Sequence, residues 1–211
     1  MTGTRRALVV VDVQNEYFDG ILQVQYPPRD ETLANITRAM DLAAELDIPV
    51  LVLRHELPEG APVFAVGSPS WTLHPEVERR VTPDVKVASK SESSAFTGDG
   101  VAEWLASKQV DTLTIVGYMT NNCDIATAAD AEPRGIAAEV LSDASGAIHL
   151  SNEAGDVAAE QLHSTLMVLL QSNFAAVADT DTWAEAARAG TALPKSDLGT
   201  SATQGRARFG G

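Results

Sequence analysis

The stretch Asp111–Ala131, DTLTIVGYMTNNCDIATAADA, limits what this chain can fold into more than any other. Thr112 to Val116 is β-branched and apolar, and Gly117 breaks the run. Such a run reads as a strand buried on both faces, which belongs in a parallel sheet. From Asp124 onward the residues are Ala-rich with few breakers and read as a helix. Between the two lies Tyr118-Met119-Thr120-Asn121-Asn122, leading into Cys123, the single cysteine of the chain. A sulfur held where a strand gives way to a helix sits near free N–H groups and a dipole that favour a thiolate. Taken alone, a lone cysteine is more often a small buried hydrophobe. The context makes it a candidate nucleophile that needs partners elsewhere.

The remaining pattern repeats the same alternation. Ala7 to Val11 (ALVVV) reads as a central strand ending at Asp12. Val13 to Gly20 reads as a polar and aromatic loop, and Asp30 as the cap of a helix over 31–46. Further strands are expected over 50–53, 84–88 (ending at Lys90), 136–141 and 175–178. Helices are expected over 99–108, from a Ser151 cap to about residue 171, and over 182–189. Residues 54–83 are punctuated by Pro58, Gly60, Pro62, Gly67, Pro69 and Pro75, and read as a long irregular insertion of the kind that carries function. Strands and helices so spaced predict an α/β fold, a three-layer α/β/α sandwich around a six-stranded parallel sheet. Residues 1–189 form one domain. The segment 190–211 is rich in Gly, Ser, Thr and Ala and is expected to have little structure of its own.

Composition narrows the partners. The 211 residues carry a formal net charge of −14, which disfavours nucleic acid and anionic membranes. One cysteine precludes an internal disulfide framework and suits a reducing, cytoplasmic setting. The apolar run behind Arg5 and Arg6 stops at Asp12, too early for a signal core or a membrane span.

Chemistry then emerges from three strand ends. In a parallel sheet the ends carrying Asp12, Lys90 and Cys123 lie on one edge, so an acid, a cation and a thiol converge despite their separation in sequence. Asp12 alone could brace a turn, and Lys90 alone could be a solvated charge. Together they make a nucleophilic set.

With these residues the chain resembles the isochorismatase-like cysteine hydrolases. The resemblance rests on Asp12-Val13-Gln14-Asn15-Glu16-Tyr17-Phe18, on the Lys90 strand end, and on Gly117 to Cys123 with Thr127-Ala128, and it spans roughly residues 7–180. It implies that Cys123 attacks a carbonyl, that Asp12 takes the thiol proton and passes it to the leaving amine, and that Lys90 holds both. It also implies an oxyanion hole from the backbone N–H groups of Met119 and Cys123, with a cis peptide before Met119. Glu16 stands where many relatives have Asp. The Asp-x-His pattern with which nicotinamidases hold a metal is not present at Arg54-His55-Glu56, so no metal and no cofactor are expected. Cys123 favours C–N bond hydrolysis of a small amide, ureide or carbamoyl compound over the vinyl-ether cleavage of true isochorismatases. A non-catalytic binding protein on the same fold is the other reading. Tyr17, Phe18, Trp71, Phe96, Tyr118 and Asn122 are candidate substrate contacts, although each aromatic could equally be packing. His55 could meet a polar substrate group. As in most relatives, a homo-oligomer is expected.

Overall fold

In a computed structural model that describes residues 3–210, the chain alternates strands and helices for most of its length. In order these are β1 (Arg6–Val11), α1 (Glu16–Asp19), α2 (Arg29–Glu45), β2 (Val50–His55), α3 (Pro75–Glu78), β3 (Lys86–Lys90), α4 (Val101–Ser107), β4 (Thr112–Tyr118), α5 (Ile125–Ala131) and β5 (Ala137–Gly146). There follow β6 (Leu150–Asn152), β7 (Gly155–Val157), α6 (Ala159–Leu169), β8 (Ala176–Ala178), α7 (Thr180–Ala189) and α8 (Leu198–Phe209). Six strands form one sheet in the order β3-β2-β1-β4-β5-β8, every neighbouring pair parallel. β1 and β4 are central, and all their residues are buried.

Alternation along each strand sends side chains into two cores. Leu8, Val10 and Val52 pack under α2 and α7, against Ile36, Met40 and Trp183. Ala7, Val9, Val11 and Leu51 pack under α4, α5 and α6, against Leu105, Ala128 and Met167. This is the expected three-layer sandwich. Each fully buried Leu, Ile or Val contributes about 1.5–3 kcal/mol, so the two apolar faces fix which residues of each strand point up and which point down.

Gly117 does not break β4; the strand runs through it to Tyr118. It is glycine because β1 passes too close for a side chain. A Cβ there would lie 2.2 Å from the Val11 carbonyl oxygen, and its φ of 118° lies outside the range that L side chains favour.

Other expectations shift. Asp30 does not cap α2, which starts two residues earlier than expected, behind Pro28 and without a side-chain cap; Asp30 lies in the first turn, where its charge suits the dipole. The loop after β1 contains the short α1. Ser151 is not a helix cap. It belongs to a β6–β7 hairpin that turns at Gly155 (φ 139°). α6 begins only at Ala159, whose N–H donates to His149 Nδ1 at 2.8 Å. The insertion 54–83 is largely irregular but holds α3 and a 3₁₀ turn at Pro69–Trp71. It folds back onto the loop after β1 through a bridge between Gln14 and Leu73.

The segment after residue 189 is more ordered than its composition suggested. Glu139 on β5 is buried and takes Arg6 in a two-point pair at 2.8 and 2.9 Å. The same two side chains hold the next stretch: Arg6 Nη2 donates to Thr191 O, Leu193 N donates to Glu139 Oε1, and Leu193 is buried. Beyond it, α8 is capped by Asp197 and has no buried residue. Among the described residues, no helix is long and apolar enough to cross a membrane.

Candidate active site

Sheet order decides which groups meet. β2 lies between β1 and β3, so Asp12 and Lys90 are not on neighbouring strands. His55, the last residue of β2, lies between them. Asp12 leaves β1 with a φ of 51°, a left-handed conformation that non-glycine residues adopt at a cost and that clusters at functional sites. Gln14 then secures the turn. Fully buried, it accepts from His55 N–H at 2.8 Å and donates to His55 O at 2.9 Å and Trp71 O at 2.7 Å. One side chain thus fixes the end of β1, the end of β2 and the insertion.

The Lys90 ammonium is the hub. Its Nζ donates to Asp12 Oδ2 at 2.6 Å, to Glu92 O at 3.1 Å and to Cys123 Sγ at 3.4 Å. It also lies 3.4 Å from His55 Nδ1. The ammonium has three N–H donors for these four neighbours, and its positive charge facing Nδ1 favours the His55 tautomer with the proton on Nε2. Burial and then Lys90 hold the His55 pKa below its ordinary value, which keeps the ring neutral. Burial opposes the Lys90 charge, but the Asp12 carboxylate and Cys123 outweigh it and raise its pKa. A carboxylate oxygen of Asp12, a ring nitrogen of His55 and Cys123 Sγ lie within 4.8 Å of one another. The Lys90 ammonium already contacts all three.

Cys123 ends β4's excursion, on a π turn over Thr120–Asp124 that leads into α5. Its thiol pKa is pushed well up, by burial first and by the Asp12 carboxylate next, while Lys90 pulls the other way. The resting site is therefore a neutral thiol beside an Asp–Lys pair. The peptide Tyr118–Met119 is cis. Three bonds lock the loop after Lys90 to this turn and helix: Ser93 Oγ to Asn122 Oδ1 (2.7 Å), Ser94 Oγ to Asp130 Oδ2 (2.7 Å) and Ala95 N to Thr127 Oγ1 (2.9 Å). Thr127 thus couples the lysine and cysteine elements.

The aromatic candidates divide. The Tyr17 ring is buried against Phe64 and Tyr118, with centroids at 5.4 and 5.3 Å. Burial, and then the Asp12 carboxylate, raise its pKa. Phe18 packs on His74 and edge-on to Tyr118. Tyr118 is fully buried, and its hydroxyl shares a hydrogen bond with Thr32 Oγ1 at 2.7 Å. Trp71 lies under the Arg54 guanidinium at 3.9 Å, and Phe96 under that of Arg134 at 4.5 Å. Asn122 is exposed, with its Oδ1 taken by Ser93. Glu16 turns back to its own loop, where Oε1 accepts from Ile21 and Leu22 N–H.

Two residues that the sequence did not single out stand close by. Asp124 and Ser145 are both fully buried, and neither carboxyl oxygen of the one nor the hydroxyl of the other has a hydrogen-bond partner among the described residues. The free Asp12 oxygen, Oδ1, is equally unpartnered. Asp124 was legible only as an acid at the start of a helix, and Ser145 as nothing more than a polar residue near the end of a strand.

This fold and edge are those of a known hydrolase family. Residues 6–182 match the isochorismatase domain, and the chain belongs to the isochorismatase family of hydrolases. It is 47% identical to a protein of known crystal structure from Burkholderia xenovorans LB400, with a TM-score of 0.95 covering 98% of this chain and 99% of that one. It is 30% identical to the uncharacterized isochorismatase family protein YddQ of Bacillus subtilis (strain 168), over 83% of this chain and 96% of the relative. It is 25% identical to nicotinamidase 3 of Arabidopsis thaliana, over 83% and 85% of the two chains.

Proposed function

We propose that the chain is a cysteine hydrolase that cleaves a C–N bond of a small amide, ureide or carbamoyl compound through a thioester. The observation that carries this reading is the buried Lys90 ammonium, 2.6 Å from Asp12 Oδ2 and 3.4 Å from Cys123 Sγ. A solvated lysine would need no such partners, and a binding protein would need no acid beside a thiol.

In this mechanism the sulfur attacks the substrate carbonyl as its proton moves to Asp12, so no free thiolate has to exist beforehand. Lys90 compensates the charge that passes between the two. The tetrahedral oxyanion is received by the N–H groups of Met119 and Cys123; losing one such donor costs about 100-fold or more in rate. Asp12 then returns the proton to the departing amine, the C–N bond breaks, and the acyl group stays on sulfur. Water, deprotonated by Asp12, hydrolyses the thioester and restores the thiol. The Arabidopsis relative supports amide chemistry by its name, a nicotinamidase. The chain's own histidines do not follow the metal-binding pattern expected of nicotinamidases, so the substrate need not be the same.

A panel of small amides, ureides and carbamoyl compounds, assayed for released ammonia or amine, tests the reading. At least one is expected to turn over, with Cys123→Ala lowering kcat by 1,000-fold or more, on the order seen when a nucleophile is removed. Turnover that survives in a folded Cys123→Ala protein would sink the mechanism.

A further inference from the structure

The hydrolase mechanism employs Asp12, Lys90 and Cys123 but gives no task to the second acid beside them. Asp124 directly follows the nucleophile, is fully buried, and leaves both carboxyl oxygens unpartnered. Ser145, on β5, is paired in register with Gly117 of β4, which in turn is paired with Val11, the residue before Asp12. Ser145 therefore shares its row across the sheet edge with Val11, one residue before the proposed catalytic acid, and its hydroxyl too is buried and unpartnered. That hydroxyl approaches the Asp124 carboxyl without hydrogen-bond geometry, and its nearness favours the charged form of the acid.

Buried acceptors without donors are unfavourable, by roughly 1–3 kcal/mol each and more when charged. A fold does not need an acid at this position for packing. A ligand offering N–H groups would satisfy both it and the free oxygen of Asp12. An anionic or donor-free ligand would leave those oxygens unsatisfied, since the Lys90 ammonium is already committed to Asp12 and Cys123.

We infer that the Asp124 carboxyl, backed by the Ser145 hydroxyl, is an acceptor subsite beside Cys123 that receives an N–H group of the substrate. The compounds selected are those bearing donors next to the reactive carbonyl: primary amides, ureides and carbamoyl compounds. Esters and free acids are discriminated against. The occupant's identity as the substrate's own amide nitrogen rests on the hydrolase reading above; the acceptor character of the subsite does not. Burial, reinforced by the Asp12 charge, lifts Asp124 to about 7, so the acceptor-only carboxylate that tells an amide from an ester prevails above that pH.

Alkylation of the thiol gives a test that needs no turnover. N-methyl-2-iodoacetamide and methyl 2-iodoacetate have nearly the same shape, and only the first carries an N–H donor. Their rates of reaction with Cys123, read by intact mass and each divided by the rate with glutathione, measure preference free of intrinsic reactivity. The wild-type protein is expected to favour the amide by about tenfold or more, the value of one hydrogen bond to a charged group. Asp124→Ala is expected to bring the ratio to about one, and Ser145→Ala to lower it at least threefold. A wild-type ratio near one, or a ratio unchanged in either folded variant, overturns the subsite. If Asp124→Ala does not fold, the wild-type and Ser145→Ala ratios decide. Turnover of amides with a flat alkylation ratio removes this inference and leaves the hydrolase; a selective ratio without turnover of any C–N substrate does the reverse.

Discussion

Asp124 is the residue where function and stability pull apart. Its folded pKa of about 7 is raised from 3.8, chiefly by burial and then by Asp12. Below pH 4 the folded and unfolded chains both hold the proton, and the residue has no effect on stability. As pH rises from there, the unfolded chain releases the proton while the folded chain retains it to about 7. Stability therefore falls across that window and levels off above it. The loss is on the order of 4 kcal/mol at most, from about three pH units at 1.36 kcal/mol each. Asp124→Asn removes it. Urea unfolding should show the variant matching wild type near pH 4 and exceeding it at pH 8 by up to that amount. Equal stability at pH 8 would mean that Asp124 is solvated or paired in solution. A residue that destabilises the fold near neutral pH, placed next to the proposed nucleophile, is the pattern expected when a site is kept for chemistry.

At the scale of elements, the close passage of β1 and β4 holds the site together. Asp12 and the turn carrying Cys123 lie just beyond the point where Gly117 meets Val11. Gly117→Ala places a methyl 2.2 Å from a backbone oxygen that has nowhere to retreat, and at a positive φ. The expected cost is at least about 3 kcal/mol; a variant of wild-type stability by thermal melting would contradict that packing. The strands and helices of the sandwich were legible because apolar runs and helical periodicity survive in sequence order, and Asp12, Lys90 and Cys123 because each ends such a run. What could not be read was lateral order. Nothing in the residues of β2 says that it lies between β1 and β3, so His55 appeared as a loop histidine and Gln14 as a loop glutamine. The hairpin at Leu150–Val157 was hidden for a local reason: Ser151 sits before an apolar, helix-forming stretch, and the cap comes instead from His149, outside any short-range pattern.

Across the whole molecule, the polar interior pair Arg6–Glu139 does for the C-terminal segment what apolar packing does elsewhere. It anchors Thr191 and the backbone of Leu193, and α8 follows without burying a residue. A chain ending at Ser196 should lose less than about 3 °C of Tm, because α8 contributes little. A chain ending at Gly190 should lose a further 6–12 °C or so, for about 3 kcal/mol of Leu193 burial and carbonyl contacts at roughly 2–4 °C per kcal/mol. Equal melting of the two truncations would show that the clasp is not a stabilising element. The three groups proposed as catalytic, in turn, follow three strand ends, with Lys90 and Asp12 separated by 78 positions and Lys90 and Cys123 by 33. No hairpin or single helix brings any two of them together. Contacts so distant along the chain form late in folding, so a refolding chain acquires helices before it acquires a working thiol. The recovery of catalysis is therefore a clock for the final docking of the sheet, ticking after circular dichroism has already come to rest.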